Sequence, residues 1–535
     1  MIKRLFIIGA LVLIIALPFW LRPAHVAPAK ADDTLVIITP HNEAIRYEFG
    51  RGFAEWYRAR TGRTIALDWR VIGGTSDIAR FLESEYVAAF ENFWRRKLGK
   101  GWSTEVQAGF QNARLPKDAS ASVQEARAAF LASEVSCGID LFFGGGTYDF
   151  EKQAAAGRLV DSGVRQAHPE WFGDAAIPRR FGGEDYWQTG GLWLGTVLSS
   201  YGIIFNRDAL QRLGIRREPA QWSDLAAPEL VGEVGLADPT KSGSVAKAFE
   251  NVIQQQMQRR LTAVGKTPPP EQEADAVRAG WLDGLRLLQL VGANARYFTD
   301  TSQKPPIDVA SGNCAVGLCI DFYGRQQQEA VRRRDRSERI GYVSPAGGSV
   351  SSVDPIGLLR GARNRVAAVA FIEFVLSLEG QKLWNFQPGT PGGPLRFVLR
   401  RLPVRRDFYA QAEWKKWRSD PEEFPFDQRD PLVYRAAWTG GIFREMAFVI
   451  RVMCQDTHPE LAKAWRAIIV APEPVRSRAL AVLQDLAAVD YGRVEGEIRR
   501  ALSSKNKVDE VRMAKTLADG FRRNYARAEE IARGR

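Results

Sequence analysis

The residues best suited to chemistry stand at the ends of apolar runs. His41 and Glu43 follow Leu35-Val36-Ile37-Ile38-Thr39. An imidazole there can orient a ligand, carry a charge or bind a metal, or simply occupy a surface turn. Thr75 and Ser76 come after Gly73-Gly74, and Gly146 and Thr147 come after Ile139–Phe143 and its trailing glycines. Thr240, Ser242, Gly243 and Ser244 follow Val234-Gly235-Leu236-Ala237 and precede a helical pattern through Phe249, Val252 and Ile253. Hydroxyls and small residues at a helix start leave backbone N–H groups free for an anion; the plainer alternative is capping by Ser242 or Ser244. Asp321 and Tyr323 close the set, delivered by the apolar run Cys314–Ile320. Trp193 fits core packing first and a cleft wall second. No Gly-x-Ser-x-Gly, His-Glu-x-x-His or Cys-x-x-Cys occurs, and His25, His41, His168 and His458 are dispersed, so neither nucleophilic catalysis nor a structural zinc site has a sequence basis.

These residues need strands that stop at a common edge. The run 35–39 is continuous enough for a strand buried on both faces of a parallel sheet, and Ile45, Phe49, Phe53, Trp56 and Tyr57 recur at helical spacing after it. Alternation from Ile65 to Val71 gives a second strand, then a helix through Ile78, Leu82 and Tyr86. The order is β-α-β-α, hence an α/β chain. Residues 87–135 read as a helical insertion, Thr262–Ala274 as a surface loop, and Gly341–Ser349 as a flexible return strand. Ile356–Leu359 and the helix through Val366, Phe371 and Phe374 rebuild the first lobe. From Pro391-Gly392-Gly393-Pro394 onward the pattern is mainly helical, and basic runs such as Leu399-Arg400-Arg401-Leu402-Pro403 read as a solvated face.

At 535 residues the chain exceeds one ordinary core. Its net charge of +12 suits anionic partners, but the basic residues are scattered and no nucleic-acid motif is present. Lys3 and Arg4, the apolar run Leu5–Leu21 and Ala29-Lys30-Ala31 form an export signal with cleavage expected before Asp32. Retention of that segment as a membrane anchor is the alternative. Four cysteines in this length make no disulfide framework.

Pro40-His41-Asn42-Glu43-Ala44, the glycine-rich strand end, Val231-Gly232 ahead of Asp238-Pro239-Thr240-Lys241-Ser242-Gly243-Ser244, Ala310-Ser311-Gly312-Asn313-Cys314-Ala315-Val316-Gly317, and Arg363–Trp384 occur in one order. Together they resemble the bacterial extracellular solute-binding proteins over residues 34–394. The resemblance implies a two-lobed periplasmic-binding-protein type II (Venus flytrap) fold: residues 1–31 a signal peptide or membrane anchor, 34–150 plus 345–394 the first lobe, 151–344 the second, and 395–535 a helical C-terminal extension. It implies a non-enzymatic, periplasmic or otherwise extracytoplasmic receptor that closes by hinge motion and serves the permease subunits of an ABC-type importer. A membrane-tethered sensor is the alternative, and an exported hydrolase a further one.

Within the family the chain is most similar to the ferric-ion-binding branch, whose sites use a histidine after the first strand and paired tyrosines after the crossover strand. His41 and Tyr323 match as metal ligands, but Phe322 replaces one tyrosine. The branch's glutamate has no obvious counterpart, so iron would need Asp321, Glu43 or Asp149. A second branch binds organic anions, polyamines or phosphorylated compounds. There Thr75, Ser76, Thr147, Thr240, Ser242 and Ser244 would donate hydrogen bonds, with Trp193 and Tyr323 as walls. The expected ligand is therefore a small organic anion, with Fe3+ as the alternative cargo and no cofactor.

Overall fold

A computed structural model describes residues 31–265, 268–426, 432–504 and 506–534. The export segment and its apolar run lie outside them. Fourteen strands are formed among the described residues: β1 (Asp33–Ile38), β2 (Ile65–Arg70), β3 (Leu141–Phe143), β4 (Leu159–Val160), β5 (Arg180–Phe181), β6 (Glu184–Asp185), β7 (Leu194–Ser199), β8 (Tyr201–Asn206), β9 (Val234–Ala237), β10 (Ala295–Thr299), β11 (Val316–Ile320), β12 (Ile340–Val343), β13 (Ser352–Leu359) and β14 (Leu402–Pro403). They build two larger sheets and the small hairpin β5-β6.

The first sheet is ordered β14-β7-β13-β3-β1-β2, with β4 also on β13. β1 runs parallel to β2 and β3, in register Ile37 with Trp69 and Leu141. Leu35, Ile37 and Ile38 are fully buried, as a central strand between two helical layers requires. The helices Glu43–Thr61 and Arg365–Leu376 cover one side through Phe49, Phe53, Phe371 and Phe374, whose rings meet edge to face or tilted. Each such ring contributes about 2–3 kcal/mol by burial. The second sheet is ordered β10-β9-β11-β8-β12, parallel from β10 to β11 and antiparallel beyond.

The chain passes from one sheet to the other between β7 and β8, with Ser200 alone between them, and returns between β12 and β13. Ser199 and Ser352 pair across the two passages. Tyr201 N–H donates to Ser349 Oγ at 3.0 Å, and Asp321 N–H donates to the Ser200 carbonyl at 3.0 Å. Two sheets joined by paired crossing strands make the two-lobed, type II architecture.

Three sequence expectations need correction. β4 and β7 belong to the first sheet, so the crossing falls at Ser200 and not at 150. Their partner β13 arrives late in the chain, and local pattern could not reveal it. Thr262–Ala274 is largely helical, since the helices Gly243–Val264 and Pro270–Ala293 extend into it from both sides. Pro270 at the first helical position with Glu271 and Glu273 in the first turn is a helix start, which the composition had disguised as a loop. The stretch from 395 is not uniformly an extension. Leu399, Leu402 and Val404 sit in the first lobe's core and β14 edges its sheet.

Beyond 432 the chain is mainly helical and shares one core with the second lobe. Trp281 donates its indole N–H to the Val489 carbonyl at 2.9 Å, and Trp465 donates to Asn294 Oδ1 at 2.8 Å. Tyr525 is fully buried beside Gln289.

Candidate functional site

A cavity of about 1030 Å³ lies between the lobes. Helices from both lobes begin at its wall. From the first lobe come Glu43–Thr61 (N-cap Asn42), Thr75–Arg96 (Gly74) and Thr147–Ala156 (Gly146). From the second come Gly243–Val264 (Ser242) and Asp321–Asp335, whose first turn carries Phe322 and Tyr323. Each start presents first-turn N–H groups with no acceptor inside the helix and the positive end of its dipole. The lobes touch where a Cβ on Gly243 would lie 2.9 Å from Thr75 Oγ1, and one on Gly74 would lie 2.8 Å from the Lys241 carbonyl.

His41 sits at the base of a buried polar group. Its Nε2 is 3.3 Å from Asp354 Oδ2 and 3.5 Å from Arg401 Nη1. Arg401 donates to Asp354 Oδ2 at 2.7 Å and to Ser199 Oγ, and its guanidinium lies over the Phe322 ring at 4.5 Å. Arg401 is 1% exposed, yet its Nε has no partner among the described residues, and neither has His41 Nδ1. Burial pushes the His41 imidazole below its ordinary 6.5, which the neighbouring Asp354 offsets only in part, so the ring is neutral at pH 7. Burial alone would raise Asp354, but Arg401 and His41 hold it well below the usual carboxylate range.

The glycine-rich end of β3 sets this geometry. Gly144 and Gly145 have φ of +89° and +117°, a region that side chains avoid. A Cβ on Gly144 would stand 2.4 Å from the His41 ring, and one on Gly145 2.0 Å from the Thr75 methyl. The two glycines let the loop press the imidazole and the Thr75 helix start into place.

Of the residues expected from sequence, His41, Thr75, Gly146, Thr147, Trp193, Ser242, Gly243, Ser244 and Tyr323 line the cavity. Four do not. Glu43 is exposed on the first turn of its helix, and Ser76, one position past Thr75, is half-buried outside the cavity lining. Thr240 turns its hydroxyl onto Asp238 Oδ1 at 2.7 Å. Asp321 is buried in an ion pair with Arg325 at 2.6 Å. Ser242 also caps its helix by accepting from Val245 N–H at 3.4 Å. Trp193 donates to Glu151 Oε1 at 2.8 Å and is 1% exposed, so it serves core and wall together. Burial pushes the Tyr323 phenol up to about 12, which keeps it a neutral hydroxyl.

His41 and Tyr323, the expected metal pair, both line the cavity. No cluster of three His, Cys, Asp or Glu side chains fit to hold a metal ion occurs among the described residues. Beside His41 Nε2 stand both the Asp354 carboxylate and the Arg401 guanidinium, and the guanidinium repels a cation. Sequence reasoning missed Arg401 and Asp354, and it placed Arg401 in a solvated basic run. It also missed Lys247, which lies between Glu184 at 2.5 Å and Glu250 at 2.8 Å and beneath the Tyr434 ring at 3.5 Å.

A cavity between two lobes joined by paired crossing strands is the arrangement of a solute receptor. A family model described as bacterial extracellular solute-binding protein matches residues 138–417, just over half of the chain, and the chain belongs to that family. It is 27% identical over 221 residues to iron uptake protein A2 of Synechocystis sp., covering 39% of this chain and 56% of that protein. It is 23% identical over 189 residues to the phosphoglycerate transport regulatory protein PgtC of Salmonella typhimurium, covering 35% and 39%. An uncharacterized Haemophilus influenzae protein is 26% identical over 245 residues, covering 46% and 60%. The chain thus spans only part of the length of the curated relatives it matches. Among solved structures, the periplasmic binding protein AfuA of Actinobacillus pleuropneumoniae, with exogenous fructose-6-phosphate bound, aligns with a TM-score of 0.49 at 16% identity. That alignment covers 81% of this chain and 98% of AfuA. No helix of the described residues is long and apolar enough to cross a membrane.

Proposed function

We propose that this protein is the extracytoplasmic receptor of an ABC-type importer and closes around a small organic anion, with a phosphorylated polyol or hydroxy acid as the best chemical match. The observation that carries the reading is the convergence of helix starts from both lobes, with buried Arg401, on one enclosed cavity. Fixed N–H dipoles and a guanidinium in a low-dielectric site favour a negative group without reorganisation. Ligand contact with both lobes at once is what stabilises closure.

Two relatives carry names that point to iron uptake and to phosphoglycerate transport, and the cavity favours the second chemistry. Its volume of about 1030 Å³ suits an organic molecule. A bare ferric ion would need several hard anionic oxygens, whereas Asp354 beside His41 is already engaged by Arg401 at 2.7 Å and Phe322 stands where the ferric-ion-binding branch has a second tyrosine. Importer permeases are the partners this reading requires.

Native mass spectrometry of the purified protein, followed by calorimetry with inorganic phosphate, 3-phosphoglycerate, a hexose phosphate and ferric citrate, tests the reading. Saturable binding of the phosphorylated solutes at one per chain is expected. Stoichiometric iron that is lost in Tyr323→Phe, with no phosphorylated ligand bound, would overturn it.

A further inference from the structure

The segment from 432 to 443 lies beyond the family match, which ends at 417, yet Tyr434, Ala436, Gly440, Gly441 and Phe443 line the cavity. Two sets of bonds hold the segment. On the second lobe, Gln254 donates to the Arg435 carbonyl at 3.1 Å and to Thr439 Oγ1 at 2.6 Å. Glu250 accepts from the Tyr434 hydroxyl at 3.1 Å and from Thr439 Oγ1 at 2.5 Å. On the first lobe, Tyr434 N–H donates to the Gly182 carbonyl at 2.8 Å, and the rings of Tyr148 and Phe443 stack at a tilt, 4.7 Å apart. The approach at the β5-β6 hairpin depends on a glycine: Gly183 has φ of +84°, and a Cβ there would lie 2.0 Å from the Tyr434 carbonyl oxygen.

This contact encloses a second polar group, distinct from the one at His41. Lys247, 12% exposed at its side chain, pairs with Glu184 of the hairpin and Glu250 of its own helix, both buried. Buried Tyr201 lines the same cavity as both groups. The first group sets one guanidinium against one carboxylate, with the Tyr323 hydroxyl and the helix-start N–H groups as further donors around it. The second carries two carboxylates against one ammonium and is roofed by an aromatic ring. Carboxylates that face a cavity accept hydrogen bonds from hydroxyls and repel a second anion, and an aromatic face packs on the apolar side of a sugar or polyol.

We propose that the segment 432–443 is the specificity wall of the cleft. With Glu184, Lys247 and Glu250 it forms a subsite for the hydroxylated part of a ligand whose anionic group sits at the helix starts and Arg401. The inference rests on the anion reading of the cavity and adds the far half of the ligand to it. A short anion fills only the first group. A phosphorylated polyol or sugar fills both, and so selects the form in which the segment bridges the lobes.

Calorimetry on the full chain tests this with two probes, inorganic phosphate and glucose 6-phosphate, on the native protein, Tyr434→Leu and Gly183→Ala. The native protein is expected to bind the ester more tightly than phosphate. Both variants should weaken the ester about tenfold or more and leave phosphate within about twofold, which also shows that they fold. Equal losses for both probes, or no loss for either, would overturn the inference while the anion reading stands. Absence of binding of either probe to the folded native protein would overturn both readings.

Discussion

At the scale of single residues, Arg401 is the most consequential side chain in the cleft. Arg401→Met removes a charge-assisted donor, worth about 1.5–3 kcal/mol, and should weaken phosphate binding by roughly 10- to 150-fold in calorimetry. It also strands Asp354, so urea denaturation should report a loss of about 3 kcal/mol. Acidification acts in the same direction on both partners. The unfolded chain takes up a proton at His41 below its ordinary 6.5, whereas the folded chain refuses it until a lower pH, so stability falls as pH drops through that window. The contribution of Asp354 is complete above the ordinary 3.8 and is lost as pH falls through its depressed value. His41→Gln should therefore flatten the decline in unfolding free energy below pH 6.5, read from urea titrations, by up to ~1.4 kcal/mol per pH unit. An unchanged slope would show that another group is responsible. His41, Ser242 and Tyr323 were legible because each follows an apolar run. Asp354 and Arg401 were not, because they stand 313 and 360 residues from His41 in sequence and meet it only through strand pairing.

At the scale of elements, the β3 loop carries a tight local constraint. Gly145→Ala adds a Cβ to a residue at φ +117° and drives it into Thr75. It should cost more than about 1 kcal/mol in stability, and it should weaken phosphate binding by shifting the Thr75 helix start. Normal affinity in that variant would mean that this helix start takes no part in binding. Parallel strands such as β1 and β9 were readable as continuous apolar runs bounded by turn residues. The antiparallel members β7 and β13 were recognisable as strands, but their sheet was not, since membership depends on partners more than a hundred residues away. The helix beginning at Pro270 was hidden by the same prolines and glutamates that start it.

At the scale of the whole molecule, the C-terminal helices complete the second lobe's core and are not an independent attachment. A chain ended at 431 would expose Trp281 and its neighbours, and should be recovered as aggregate or with strongly increased dye binding to apolar surface. Soluble, cooperatively unfolding protein from that truncation would contradict the shared core. The helical character of the extension was legible from its periodicity, but its place was not, because an amphipathic pattern names a buried face without naming what buries it. The connector at Ser200 constrains what the molecule can do next. A single residue can swivel but cannot lengthen, and consecutive Cα atoms stay about 3.8 Å apart, so release of cargo cannot begin by drawing the sheets apart at that point. On the proposed receptor reading, opening is torsional and parts Thr75 from Gly243 at the rim while the axle stays put, so labels on those two residues should register each opening and labels flanking Ser200 should stay silent.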